Sequence, residues 1–196
     1  AGAATVDSNA LSTLNLEGTL VTVNTTNSSI ATTPAVTTLA LNLKGATSTG
    51  AVTADAEVTT LNVKSSTTDS TLNTLVANGA TAINISGDAA LTVTTLTATA
   101  ANKVITVTNT AGVTIGNALA TDVTFTGGAG ADSVILSASY TKAINMGAGD
   151  DTVVYAAAGA GGSVNGGAGN DTLVVAVAGS DIAGLPQITG FETLRV

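Results

Sequence analysis

The sequence predicts an all-β fold, a right-handed parallel β-solenoid with about 20 residues per turn, on three observations. The first is a short unit, apolar then small polar then apolar, that recurs along the chain. It reads Leu14-Asn15-Leu16, Leu41-Asn42-Leu43, Leu61-Asn62-Val63, Ile83-Asn84-Ile85, Ile105-Thr106-Val107, Val123-Thr124-Phe125 and Ile144-Asn145-Met146. The second is its period: the last residues of these units lie 27, 20, 22, 22, 18 and 21 positions apart, the spacing of a stacked repeat. The third is alternation at period two in segments rich in Thr, Val, Asn and Gly, which favours strand over helix. A hairpin sandwich, with strands every ~8–12 residues and no longer repeat, is the alternative architecture.

Composition fits narrow stacked coils. Hydrophobic residues make up 44% of the 196 but aromatics only 2%, so the core must be built from Ala, Val, Leu and Ile, which suit a pleated surface. In each coil the inward positions fill a thin core and the polar residue between two apolar ones faces out, so Asn15, Asn42, Asn62, Asn84 and Asn145 are expected outside or at turns.

Two segments follow one another. Residues 1–126 read as Thr-rich coils. The pairs Thr92/Thr94, Thr97/Thr99, Thr106/Thr108 and Thr124/Thr126 would align as a flat hydroxyl ladder of a kind suited to ice or carbohydrate. Thr is a good strand residue, however, and ordinary exposed strand surface is the reading adopted. Residues 127–196 hold 14 of the 22 glycines and read as Gly-rich coils continuous with the first part. The final Gly190-Phe191-Glu192-Thr193-Leu194 is expected to begin a further coil with Phe191 packed inward. Because the chain stops there in mid-strand, it reads as a piece of something longer.

The Gly-rich segment carries the chemistry. GGAGADSVI from Gly127, MGAGDDTVV from Met146 and GGAGNDTLV from Gly166 align without gaps as G-G-x-G-x-D-x-U-x, with Met146 in place of the first glycine. Asp132 and Asp151 are 19 residues apart, Asp151 and Asp171 20. Glycines at positions one, two and four (Gly127, Gly128, Gly130; Gly147, Gly149; Gly166, Gly167, Gly169) let the backbone reach φ > 0 and turn carbonyls toward a common point. The aspartate at position six adds a carboxylate, and a hard cation taking several oxygens at ~2.3–2.6 Å, above all calcium, is the ligand such a set suits. Stacked on one side of the coils, the three motifs make two inter-turn sites, one using Asp132 and Asp151, the other Asp151 and Asp171. Asp150 and Asn170, at position five, are expected to face solvent or to support the ligands.

An internal echo marks where the chemistry begins. AINISGDAALTV from Ala82 and AINMGAGDDTVV from Ala143 lie 61 residues apart, about three turns, and only the later copy has Gly149 and Asp151. Ala89 and Ala90 stand where a ligand would have to be. The first part is therefore expected to hold its coils by packing alone, the second by packing plus metal.

Other chemistries are disfavoured. With no Cys and no His, thiol nucleophiles, disulfides, Cys/His zinc sites and Ser-His-Asp catalysis have no residues to use. Thirteen acids against five bases give −8, which opposes nucleic acid. No G-x-x-x-x-G-K-[ST] cradle for phosphate occurs. Asp150 and Asp151 are adjacent on an extended strand and point to opposite faces, so they do not flank one glycosidic bond. No stretch approaches the ~20 apolar residues of a membrane span, and AGAATVDSNA shows no signal peptide. No enzymatic activity is expected.

The three motifs resemble the glycine- and aspartate-rich nonapeptides of RTX (repeats-in-toxin) proteins, whose coils form calcium-binding β-rolls. In that family each turn carries about two nonapeptides. Here Ser137-Ala138-Ser139-Tyr140 and Ala158-Gly159-Ala160-Gly161-Gly162 hold no Asp, so only one row of ions is implied. With the Ala/Thr/Val/Asn/Gly coils and the GFETL segment, the chain is similar to bacterial surface-layer proteins and large secreted adhesins. The resemblance implies a structural protein exported by a type I system to the cell surface, folding on extracellular calcium. It implies as partners calcium ions, other copies in a surface lattice, or cell-surface polysaccharide. A calcium-rigidified adhesin stalk and the calcium-folding module of a secreted enzyme are the alternatives.

Overall fold

The computed structural model describes residues 2–27, 36–137, 139–155, 162–175 and 187–196. Strands are numbered along the chain: β1 (Ala4–Asp7), β2 (Thr13–Leu20), β3 (Val23–Thr26), β4 (Thr38–Thr53), β5 (Thr60–Ser65) and β6 (Ser70–Val76). They continue with β7 (Ala82–Gly87), β8 (Leu91–Thr97), β9 (Val104–Val107), β10 (Val113–Leu119), β11 (Thr124–Thr126) and β12 (Ser133–Leu136). The last are β13 (Ile144–Asn145), β14 (Thr152–Tyr155), β15 (Val164–Asn165), β16 (Thr172–Val175), β17 (Ile188–Thr189) and β18 (Thr193–Arg195).

These strands pair only in parallel and stack as a β-solenoid of about 8 turns with about 22 residues per turn, with no helix among the described residues. From β5 onward each turn contributes one strand to each of two ladders. One ladder runs β4-β5-β7-β9-β11-β13-β15-β17, the other β4-β6-β8-β10-β12-β14-β16-β18. The first ladder passes from β9 through β11 to β13 without interruption, so hydrogen bonding crosses the compositional change near residue 126.

Alternation drives this arrangement: every second side chain of a strand faces inward and meets the equivalent residue of the next turn about 4.8 Å away. Leu39, Leu61, Ile83, Ile105, Phe125, Ile144 and Val164 form one such column, none more than 2% exposed. Among the described residues one continuous apolar cluster fills the solenoid. Tyr140 and Tyr155 meet edge to face inside it at 6.5 Å. Several outward columns are polar, while Ile135, Val154 and Val174 form an apolar one. Asn42 Nδ2 donates to Asn15 Oδ1 and Asn84 Nδ2 to Asn62 Oδ1, each at 2.8 Å, and a hydroxyl column runs through Thr71, Thr92, Thr114, Ser133, Thr152 and Thr172.

The triplet markers place three steps of the stack two residues off. Leu43 pairs with Ser65, and it is Leu41 that meets Val63, a step of 22 rather than 20. Phe125 pairs with Ile105, not Val107, a step of 20, and with Ile144, not Met146, a step of 19. A slip of two keeps every side chain on its own face, so hydrophobic alternation is blind to it. The echoed segments do lie three turns apart: Ile83, Ile105, Phe125 and Ile144 are successive members of one column. As expected, Gly190-Phe191-Glu192-Thr193-Leu194 enters a further turn, with Phe191 packed on the core.

Candidate cation site at the stacked corners

Where the first strand of a turn bends into the second, the chain makes a corner, and the three motifs occupy three successive corners. Gly127 to Asp132 joins β11 to β12, Met146 to Asp151 joins β13 to β14, and Gly166 to Asp171 joins β15 to β16. Flanking pairs hold the corners in register, Thr126 with Asn145 and Asn165 on one side, Ser133 with Thr152 and Thr172 on the other. An isolated bridge between Ala148 and Ala168 links two of them at their tips.

Position one belongs to the core. It follows the outward Thr126, Asn145 or Asn165, so its side chain points inward, and Met146 is wholly buried there. None of Gly127, Met146 and Gly166 has positive φ, so methionine adds no backbone strain. In the first and third corners the carboxylate lies against that glycine instead: a Cβ on Gly127 would stand 2.8 Å from Asp132 Oδ2, and one on Gly166 2.7 Å from Asp171 Oδ2.

Positions two and four need glycine for two reasons in the later corners. Gly149 has φ +121° and Gly169 φ +144°, where L side chains are strained. A Cβ on Gly169 would also stand 2.1 Å from the carbonyl oxygen of Gly149, and one on Gly149 2.6 Å from that of Gly130. The missing side chains thus let carbonyl oxygens of one corner lie against the glycines of the next. Gly147 and Gly167 behave in the same way, with φ +99° and +110°. The first corner differs, because neither Gly128 nor Gly130 lies in that region.

All three aspartates are buried, at 1%, 1% and 0% exposure for Asp132, Asp151 and Asp171. Each reaches back one turn. Asp132 Oδ1 accepts from the Val113 N–H at 2.7 Å, Asp151 Oδ1 from the Asp132 N–H at 2.6 Å, and Asp171 Oδ1 from the Asp151 N–H at 2.9 Å. Their second oxygens differ: Asp132 Oδ2 accepts from the Gly128 N–H at 2.9 Å, whereas Asp151 Oδ2 and Asp171 Oδ2 are buried with no hydrogen-bond partner. Burial raises the Asp151 carboxyl to about 7; the Asp132 N–H bond opposes this, and the charges of Asp132, Asp171 and Asp150 add to it. Burial also raises Asp132, against the bonds from Gly128 and Val113.

Asp150 and Asn170 are exposed, as expected at position five, and Asp150 Oδ1 accepts from the Asn170 N–H at 2.9 Å. Among the described residues no three carboxylates gather at one point. The column supplies one per turn, so a cation held here would take its remaining ligands from backbone carbonyls. Such a cation could use Asp151 and Asp171 with the carbonyls of Gly130 and Gly149, which lie against the glycines of the next corner, whereas the Gly147 carbonyl already accepts from the Ala168 N–H at 2.9 Å. Of the Asp-free stretches opposite, residues 138 and 158–161 lie outside the described residues.

The stack adds residues that the motif does not contain. Glu192 Oε2 accepts from the Asp171 N–H at 2.8 Å, the bond each aspartate makes to the turn before it. Its sequence signal is Glu192-Thr193-Leu194, which repeats the acid-Thr-apolar order of Asp151-Thr152-Val153 and Asp171-Thr172-Leu173. Upstream, Asn109 plugs the corner between β9 and β10. Wholly buried, it accepts from the N–H groups of Ala111 and Gly112 at 2.8 and 2.9 Å and donates to Ala89 O at 2.8 Å. In the echoed coil the residue in line with Asp151 is Leu91, through Val113 and Asp132, not Ala90, because that corner is one residue longer. A buried leucine fills the place of the carboxylate.

No protein-family model matches the chain, and no curated protein matches it.

Proposed function

We propose that the chain is a calcium-stabilised structural module of a secreted bacterial cell-surface protein, a component of a surface layer that folds and assembles on binding extracellular calcium. The observation that carries this reading is the pair of buried, unpartnered carboxylate oxygens, Asp151 Oδ2 and Asp171 Oδ2, in adjacent turns. A buried carboxylate without a donor is costly, and two in neighbouring turns repel each other as well. A divalent cation removes both penalties. The donors on offer are all oxygens, carboxylate and carbonyl, which suits calcium over a metal that prefers nitrogen or sulfur.

Coupling to folding follows from the same arrangement. The corners come into register only when the turns stack, so the ligand set does not exist in the unfolded chain, and binding energy adds to folding energy. Extracellular calcium modules bind at ~10⁻⁴–10⁻³ M, which keeps the Gly-rich turns weakly stabilised at low calcium and firm outside the cell. A rigid rod with polar ladders on its faces suits a repetitive lattice, and the −8 charge favours bridging by divalent ions.

The experiment is a thermal melt in millimolar calcium and in chelator, paired with electron microscopy of the calcium-loaded protein. A higher melting temperature in calcium and ordered sheets are expected. Identical melts would overturn the calcium reading, and dispersed rods in calcium would overturn the lattice reading.

A further inference from the structure

We propose that the ion-binding part of this column lies one turn further along the chain than the motif: Asp132 is a metal-independent cap, Glu192 is a ligand, and Asp171 is the carboxylate shared by two ions. The inference rests on the calcium reading above and assigns the work within it.

Both oxygens of Asp132 already hold a backbone donor. Val113 N–H occupies its Oδ1 at 2.7 Å and Gly128 N–H its Oδ2 at 2.9 Å. A buried carboxylate holding two backbone donors is satisfied without a metal. The Gly128 bond also explains why this corner looks different. With Gly128 outside the positive-φ region, its N–H points at the carboxylate of its own turn. At Gly147 and Gly167 the backbone has turned to φ +99° and +110°, and the carboxylates of Asp151 and Asp171 are left without that donor. The first motif is closed on itself; the second and third are open.

Open oxygens and free acids then count the sites. Asp151 Oδ2 and Asp171 Oδ2 are both orphaned, which asks for one cation each. The next acid beyond Asp151 is Asp171. Among the described residues the next beyond Asp171 is Glu192, whose Oε2 accepts from the Asp171 N–H at 2.8 Å in the manner of every aspartate in the column. Glu192 is exposed and one methylene longer than aspartate, so its carboxylate can shift onto an ion at little cost to the fold. One ion therefore lies between the corners of Asp151 and Asp171, and a second between those of Asp171 and Glu192.

The test uses the full chain and two readouts, the melting-temperature shift between chelator and calcium and the calcium stoichiometry by titration calorimetry. The variants are Asp132→Asn, Asp151→Asn, Asp171→Asn and Glu192→Gln. Two ions are expected for the unaltered protein and for Asp132→Asn, whose melts fall equally in calcium and in chelator. One ion and roughly half of the calcium shift are expected for Asp151→Asn and for Glu192→Gln, and no shift for Asp171→Asn. Loss of an ion in Asp132→Asn with full binding in Glu192→Gln would overturn the displacement and leave the calcium reading standing. No calcium shift in the unaltered protein would overturn both. If Asp132→Asn does not fold, the exposed Glu192→Gln decides alone: full binding there sinks the proposal.

Discussion

Asp171 and Asp151 are tied across one turn of the solenoid: Asp171 Oδ1 accepts from the Asp151 N–H at 2.9 Å, while the Oδ2 atoms of both remain buried without a donor. The relationship joins stacking to chemistry. The bond sets the two corners in register, and the register brings the orphaned oxygens into neighbouring turns. Four predictions follow from the corners.

Metal-free protein loses stability as pH rises from about 4 to about 7. Asp151 titrates near 7 when folded and near the ordinary aspartate value of about 4 when unfolded, so the folded state binds more protons between them. A group with a raised folded pKa contributes stability that is present below its unfolded pKa and lost as pH climbs through the folded one. Asp132, also raised, acts in the same direction. Chelator melts across this range should show the decline, and calcium should flatten it. A rise with pH in chelator would contradict the buried, protonated Asp151.

Met146→Gly, which restores the motif, should destabilise the protein by about 2–5 kcal/mol, the cost of emptying a buried methionine site. Met146→Leu should cost less than about 1.5 kcal/mol, because it conserves volume. Urea denaturation in chelator separates the two. A stabilised Met146→Gly would mean that position one serves the ion and not the core.

Gly169→Ala should cost about 1–3 kcal/mol in chelator from backbone strain alone, since φ is +144° and the new Cβ would stand 2.1 Å from Gly149 O. It should weaken calcium binding too, because the displaced oxygen belongs to the proposed ligand set. Calorimetric titration reads the second effect; unchanged affinity would remove the Gly149 carbonyl from that set.

Asn109→Ala should cost about 1–3 kcal/mol, because the amides of Ala111 and Gly112 and the carbonyl of Ala89 lose their buried partner. Its cost should be the same in calcium and in chelator. A calcium-dependent cost would extend the ion column upstream of residue 127.

Much of the corner was legible before folding. Three aspartates at steps of 19 and 20 can share a column only if the chain is coiled, and they do. The glycines at positions two and four announce carbonyl oxygens packed on backbone, and a Cβ at Gly149 or Gly169 has no room. Glu192 was harder to see because Gly190-Phe191-Glu192 is a corner of three residues where the motif has six, so alignment passes over it.

By itself the sequence determined the fold class and which side chains face in, since alternation and a period near 20 are written in the order of residues and need no partner to be read. Tertiary structure alone decided which residue stacks on which. A shift of two preserves every face, and corners of unequal length set the shift, which is why Leu41 rather than Leu43 meets Val63, and Leu91 rather than Ala90 stands in line with Asp151. Nor could three nearly identical motifs reveal their difference. Whether an aspartate oxygen is satisfied depends on the direction of one backbone N–H, and at Gly128 that N–H turns inward to close the first corner and leave the next two open.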